Sequence, residues 1–408
     1  MKVLQINNFH YPRGGADRVY LDTMHLLSDA GIDVCSFSTL NEKNTPEFAN
    51  AFFIPNREYR NTDSFRDTLL ALPGYFYNAT ALKNLERLIQ IEKPDVAHLH
   101  IFQSRLSSPI LKILKKYSIP VVMTVHEYKI LCPVYTCLNG KNEICEKCAG
   151  GNYFHAIQYA CNQNRFLPSL LSAAESWMRD TFYSYTENID QFIFPSIFIR
   201  DKHLEYHPEI KKRVHVVYNF VDISKYVPLS QAGAYDLYFG RLSNEKGLMT
   251  LLKTYSNHSL YPLEIIGEGP QKEELEHFLN QKASENTIHL RGYLSGNDLI
   301  EKVRNARFVI VPSEWYENNP RSVIEAMALG KPVIGADIGG IPELIQEEVS
   351  GYVYTSGNEN ALLQAVRKAT GNNYMQMSIA SRERAEKLFN SEEHLQMLLS
   401  VYSNAKAR

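Results

Sequence analysis

Residues 308–334 read Phe308-Val309-Ile310-Val311, then Pro312-Ser313-Glu314-Trp315-Tyr316-Glu317-Asn318-Asn319-Pro320, then Arg321-Ser322-Val323-Ile324-Glu325-Ala326-Met327-Ala328-Leu329-Gly330-Lys331-Pro332 and Val333-Ile334. The first four residues are an apolar run of strand length. Asn319 suits a helix cap with Pro320 at the first helical position, Gly330 sits just past the helix end and Pro332 follows, so the spacing predicts a helix over residues 320–329. Both flanking strands are continuous apolar runs with no polar alternation. A strand, a helix and a second strand of this kind belong to a parallel sheet covered on both faces.

The pattern extends in both directions. Similar runs occur at Val3 to Ile6, Val34 to Phe37, Val96 to Leu99, Val121 to Val125, Phe192 to Phe194 and Val214 to Tyr218, and again at Leu237 to Phe239, Leu263 to Ile266, Ile288 to Leu290 and Tyr352 to Tyr354. Helix-length segments separate them, so each half reads as a doubly wound, Rossmann-like α/β domain. The chain has 408 residues, which predicts two or three domains at about 100–200 residues each. A seam is expected after Asn219-Phe220-Val221-Asp222, giving domains over 1–222 and 223–390. In residues 391–408, Leu395, Leu398, Leu399 and Tyr402 lie at helical spacing, and this final helix is expected to pack back on the first domain.

Composition excludes several classes. Forty-three Lys and Arg against forty-five Asp and Glu leave a net charge of −2, and no basic run suits a nucleic-acid backbone, so nucleic acid is not expected as a partner. With 44% hydrophobic and 22% charged residues the chain is an ordinary globular one. The apolar run at Val3 to Ile6 is too short for a signal-peptide core, and no stretch approaches the roughly 20 residues of a spanning helix. The expected location is the cytoplasm.

In an open parallel sheet, ligands bind beyond the carboxyl ends of the strands. Gly14 and Gly15 open a helix there and let backbone N–H groups approach a phosphate, although a plain turn reads the same way. His126 ends the fourth strand. Gly240-Arg241-Leu242-Ser243-Asn244-Glu245-Lys246-Gly247 follows the first strand of the second half, where Arg241 and Lys246 can meet one diphosphate; the alternative is a solvated loop. Glu317 precedes the helix start, and Glu325 lies within the helix among Val323, Ile324 and Met327. A carboxylate among apolar neighbours needs a partner. That partner is either Arg321, four residues earlier, or a ligand carrying hydroxyls as well as phosphates, such as a nucleotide sugar.

With these motifs in order, the sequence resembles the family-4 retaining glycosyltransferases of the GT-B fold. Glu317 and Glu325, eight positions apart, match the family's paired glutamates, and PSEWYENNPRSVIEAMALGKPVIG is similar to the form found in capsule and exopolysaccharide enzymes. GRLSNEKG, Ile266-Gly267-Glu268-Gly269-Pro270, Gly14-Gly15, His126 and YNFVD at 218–222 fall in the family's places. The resemblance implies two Rossmann-like domains facing across a cleft and a nucleotide-diphosphate sugar donor. Arg241 and Lys246 would hold the diphosphate, Gly267 would lie in the same nucleotide site, and Glu325 would hold the ribose. Glu317, Asn318 and Asn319 would face the transferred sugar, with His126 reaching it from the first domain. Gly14 and Gly15 would lie near phosphate and acceptor, and the backbone at Tyr293 and Leu294 near the base. It also implies a glycan or lipid-linked glycan acceptor and no catalytic metal or other cofactor. Asn318-Asn319-Pro320 departs from the Gly-Phe-Gly-like tripeptide of many relatives.

Cys132, Cys137, Cys145, Cys148 and Cys161 crowd into thirty residues. C-x7-C-x2-C-x12-C over Cys137, Cys145, Cys148 and Cys161 suits a tetrahedral structural zinc, and free thiols are the alternative. Leu69 to Tyr77, preceded by Arg57, Arg60 and Arg66, and Phe166 to Tyr185, with Leu170, Leu171, Trp177, Met178 and Phe182, are aromatic and apolar. Each reads as a core-facing helix, with peripheral contact to the inner face of a membrane as the alternative. Two rival functions share the expected architecture: a GT-B sugar-nucleotide epimerase and a non-enzymatic two-lobed sugar-binding protein.

Overall fold

The computed structural model describes residues 1–56, 74–282, 287–371 and 373–407. Two parallel sheets of six strands carry them. The first contains β1 (Lys2–Ile6), β2 (Asp33–Phe37), β5 (Val96–Leu99), β6 (Val121–Thr124), β7 (Gln191–Phe194) and β8 (Val214–Val216) in the order β2-β1-β5-β6-β7-β8. A two-stranded ribbon, β3 (Thr39–Leu40) with β4 (Ile54–Pro55), stands apart from it. The second contains β9 (Asp236–Phe239), β10 (Leu263–Ile266), β11 (Ile288–Gly292), β12 (Val309–Val311), β13 (Val333–Ala336) and β14 (Gly351–Tyr354) in the order β11-β10-β9-β12-β13-β14. Both sheets start in the middle, wind outward and then reverse. The described strands therefore have two switch points, between β1 and β5 and between β9 and β12, where the order of strand addition reverses.

The central strands are mainly apolar because helices cover both faces: Val3, Leu4 and Ile6 are fully buried, as are Val309 and Ile310. The start of β9 is pinned by Asp236, which accepts two hydrogen bonds from the Arg307 guanidinium at 2.9 and 2.7 Å and one from the Tyr255 hydroxyl at 2.6 Å.

The compact units are residues 1–195, 199–217 and 394–408, and residues 196–198 and 218–393. The division falls at Val217/Tyr218, a few residues before the expected 222. Tyr218 and Val221 belong with the second unit's core, alongside Phe389. The helix Ser391–Lys406 buries Leu398, Val401, Tyr402 and Ala405 against Val3, Val96 and Val122 of the first sheet.

Two expectations are corrected. The helix after β12 runs Arg321–Ala328, and Pro320 takes the cap position, its carbonyl accepting from Val323 at 3.0 Å. Asn319 is not the cap: its side-chain oxygen accepts from the Asn219 backbone at 2.9 Å. The helix Phe166–Phe182 does not turn its apolar face to the core. Its buried positions are Ser169, Ser172, Ala173, Glu175, Ser176 and Arg179, whereas Phe166, Leu167, Leu170, Trp177 and Phe182 are exposed. A buried ion pair fixes this rotation, with Glu175 2.7 Å from Lys129, while Arg179 donates to the Lys129 carbonyl at 2.7 Å. Of the other aromatic stretch, residues 57–73, with Arg57, Arg60, Arg66 and Leu69, lie outside the described residues.

All five clustered cysteines are free thiols. Cys145 donates its backbone N–H to the Cys137 carbonyl at 2.8 Å, and Cys148 packs with Tyr153, Ala156 and Ala173. Among the described residues no three His, Cys, Asp or Glu side chains are grouped as metal ligands. No helix among them is long and apolar enough to cross a membrane.

Candidate active site

At the carboxyl edge of the second sheet, the loops after β9 and β12 flank the switch point and lean on one another. Gly247 has φ +68°, and a Cβ there would lie 1.9 Å from the Pro312 carbonyl oxygen. Only glycine fits, and the approach brings residues 244–246 against residues 313–317. Lys246 Nζ consequently lies 2.5 Å from Glu317 Oε1, and the Ser313 hydroxyl donates to the same oxygen at 2.7 Å. The Lys246 ammonium also sits 5.3 Å from the centre of the Trp315 ring.

Glu317 is 6% exposed. Burial pushes its carboxyl up, but Lys246 and the Ser313 hydroxyl outweigh that, and the net position is below the ordinary carboxylate range. Glu317 is therefore an anion at neutral pH. Behind it, the Gly340 N–H donates to the Glu317 carbonyl at 2.6 Å. A Cβ on Gly339 would come within 2.2 Å of that carbonyl, and one on Gly340 within 1.9 Å of the Asn318 carbonyl. The Gly339-Gly340 pair after β13 was missed in the sequence; a double glycine at a strand end was its signal.

Arg241 is exposed and forms no ion pair among the described residues. Its carbonyl accepts from the buried Tyr238 hydroxyl at 2.7 Å, which fixes the loop backbone. Gly267 abuts the same loop, since a Cβ there would lie 1.8 Å from the Gly240 carbonyl oxygen. Its N–H donates to the Gly292 carbonyl at 2.8 Å, and the adjacent Tyr293 is 70% exposed while Leu294 packs toward the core. Glu325 is paired with Arg321, at 3.2 Å, so the ion-pair alternative for this carboxylate is formed. Asn318 and Asn319 follow Glu317 directly; the Nδ2 of the buried Asn319 has no hydrogen-bond partner among the described residues. Arg241, Lys246, Gly267 and Glu317 thus belong to loops in mutual contact, whereas Glu325 sits one helical turn further on.

The first sheet has its own polar edge. Gly14 is the extended cap residue of the helix Gly15–Asp29, and Gly15 has open space where a Cβ would stand. In the first turn Asp17 is buried and accepts from Asn7 Nδ2 at 2.8 Å. Burial raises its carboxyl to about 6 against the pull of Asn7, Arg13, Gly14 and Arg105. The Arg13 and Arg105 guanidiniums each lie 4.5 Å from the Phe9 ring centre.

His126, just beyond β6, is stacked on His100, just beyond β5, with Nε2 2.8 Å from His100 Nδ1. His100 Nε2 lies 3.0 Å from Gln5 Oε1. Burial pushes His126 down to about 3 and His100 well below the ordinary histidine range, so both rings are neutral. A carboxamide oxygen only accepts. His100 therefore carries its hydrogen on Nε2 and accepts on Nδ1, and His126 donates from Nε2. Gln5 Nε2 continues the array to His98 Nδ1 and the Tyr402 hydroxyl, each at 3.3 Å, but a carboxamide does not relay protons, so the array orders the rings. Sequence reading missed His100 and Gln5, and the alternation His98, His100 across the end of β5 was the available signal.

Residues 13–225 match the family profile described as Glycosyltransferase Family 4, and residues 228–387 match that of Glycosyl transferases group 1. The first match spans more than half the chain. The protein belongs to glycosyltransferase family 4. This glycosyltransferase is 25% identical over 356 residues to an uncharacterized 42.6 kDa protein in the cps region of Klebsiella pneumoniae, covering 84% of this chain and 87% of that one. Its fold is GT-B, with two Rossmann-like domains. Sucrose-phosphate synthase from Thermosynechococcus elongatus superposes with a TM-score of 0.73 at 17% identity, covering 100% and 99% of the two chains. Anabaena Alr3699/HepE in complex with UDP-glucose superposes with a TM-score of 0.66 at 18% identity, covering 99% and 100%.

Proposed function

We propose that this glycosyltransferase is a retaining, metal-independent enzyme. In this reading it moves a sugar from a nucleotide-diphosphate donor to a glycan acceptor, commonly lipid-linked, in cell-surface polysaccharide synthesis at the inner face of the plasma membrane. The observation that carries the reading is Lys246, on the loop that also carries the exposed Arg241, held against an ionised, buried Glu317 at the switch point of the second sheet. Support for the cell-surface role comes from the cps-region relative, and support for a nucleotide sugar from the neighbour bound to UDP-glucose.

Breaking the sugar–phosphate bond develops negative charge on the leaving diphosphate. Fixed cations aimed there act on the transition state more than on the ground state. Arg241 and Lys246 supply them. Glu317, ionised, does not serve as an acid. It accepts hydrogen bonds from sugar hydroxyls and offsets positive charge growing at the anomeric carbon. His126, its ring held by His100, would offer a hydrogen bond to the transferred sugar. The departing phosphate assists deprotonation of the acceptor on the same face, so no covalent enzyme intermediate forms. Glu325 takes the ribose by exchanging its contact with Arg321.

A panel of nucleotide sugars, beginning with UDP-glucose, should raise the melting temperature through one of its members. That donor should then give a product with the donor's own anomeric configuration by NMR of the anomeric proton, in the presence of EDTA. Absence of any thermal response, or an altered sugar still attached to the nucleotide, would overturn the reading; the second result would mark an epimerase.

A further inference from the structure

The helix Phe166–Phe182 is built inside out. At about 100° per residue, Phe166, Leu170 and Trp177 fall within about 40° of one another, and Ser169, Ser172, Glu175, Ser176 and Arg179 share the opposite arc. The second set is buried and the first faces water: Phe166 is 66% and Trp177 60% exposed. Phe154, on the neighbouring helix Phe154–Gln158, is 65% exposed and Phe182 54%. This rotation is not free to reverse, because it is locked by Glu175 on Lys129 and by Arg179 on the Lys129 and Ile130 carbonyls. Turning the helix over would expose less apolar surface but strand a buried ion pair.

We propose that this face is a docking surface for an anionic phospholipid bilayer, with Phe166, Leu170 and Trp177 seated at the headgroup–acyl boundary. The surface rests on the reading of a membrane-borne acceptor, and it gives that reading a place on the molecule. Charge and area both favour a bilayer. The apolar arc carries no charged side chain, and Asp180 at its margin is tied to Arg179 at 2.6 Å. Exposed cations stand at its two ends: Arg165 precedes the helix, and Lys112 lies 4.7 Å from the ring centre of Tyr183, just past it. That order, apolar centre and cationic rim, matches the depth profile of an anionic leaflet, and Trp and Phe are side chains of the interface. The exposed part of the five side chains Phe154, Phe166, Leu170, Trp177 and Phe182 amounts to roughly 600 Å². This falls short of the roughly 800 Å² per partner that a stable protein interface buries.

The test is co-sedimentation of the full chain, without donor or acceptor, with vesicles of phosphatidylcholine mixed with phosphatidylglycerol. The wild type should sediment with the vesicles and its Trp emission should shift to the blue. In Phe166→Ser/Trp177→Ser the partition coefficient should fall at least about tenfold, with an unchanged melting temperature because both side chains already face water. Trp177→Phe should keep binding and lose most of the shift. Absence of vesicle binding, undiminished binding by the double variant, or a dimer that forms without lipid and is lost in that variant would each overturn the proposal. So would a large drop in the double variant's melting temperature. None of these readouts depends on sugar transfer, so the proposal can fail while the glycosyltransferase reading stands.

Discussion

Lys246 is paired with Glu317 and is proposed to hold the leaving diphosphate, and one thermodynamic cycle separates the two roles. Its side chain is 21% exposed and that of Glu317 8%, with 2.5 Å between them. Removing one member of a pair this buried leaves the other charge uncompensated. For Lys246→Ala the expected loss is about 3 kcal/mol, the lower end of the range for a broken buried pair, because Lys246 keeps some contact with water. In a unit of this size that corresponds to a fall of about 6–12 °C in its transition. Glu317→Gln alone should cost less, and in the double variant most of the loss from Lys246→Ala should return, since no carboxylate is left unpaired.

Activity should not follow stability. If Lys246 stabilises the leaving diphosphate, its removal should lower kcat by about 100- to 1000-fold, and the double variant, although refolded to near wild-type stability, should stay inactive. Urea melts of the four proteins and initial rates of transfer, once the donor is known, complete the cycle. Near-wild-type transfer by Lys246→Ala would sink the diphosphate role. A coupling energy below about 0.5 kcal/mol would show that the pair does not hold the loop. The pH dependence has a fixed sign. Glu317 titrates below its unfolded value of 4.5, so its contribution is complete above that pH and is lost as pH falls through the folded value; Lys246→Ala should flatten this limb.

Asp17 gives the opposite sign. Its carboxyl rises from 3.8 to about 6 on folding, so ionised Asp17 opposes folding, fully above about pH 6 and not at all below the unfolded value. Asp17→Asn, which keeps the bond from Asn7, should stabilise the first unit by up to about 3 kcal/mol at pH 8 and by almost nothing at pH 4; urea melts giving equal gains at both would refute the assignment. Gly340→Ala drives a methyl into the Asn318 carbonyl and the Ser196 side chain, so it should weaken donor binding at least about tenfold in calorimetry; wild-type affinity would show that this backbone does not shape the site. Zinc in the purified chain should stay below about a tenth of an equivalent, since no three thiols are grouped as ligands; one equivalent would mean that the loop closes around the metal.

The sequence legibly carried whatever a local pattern encodes. Apolar runs marked the strands, and the glycines at 240, 247 and 267 marked loops whose backbones must touch. The partners of the charged groups were less legible, because they are chosen across the fold. Lys246 and Glu317 stand 71 positions apart and meet only because Gly247 lets one loop rest on Pro312. Asn319 looked like a helix cap because a cap is a local event, yet the distant Asn219 backbone competed for the same oxygen and won. The helix Phe166–Phe182 shows the limit most clearly. Periodicity establishes that a helix has an apolar face, but it is blind to which way that face points. Direction is set by what the opposite face carries, and here that face holds two charges, Glu175 and Arg179, that have buried partners waiting at Lys129 and the Lys129 carbonyl. A polar arc that contains both an acid and a base beside three serines can satisfy itself inside a protein. An apolar arc is then left outside, and it is this arc that the proposed bilayer contact would cover.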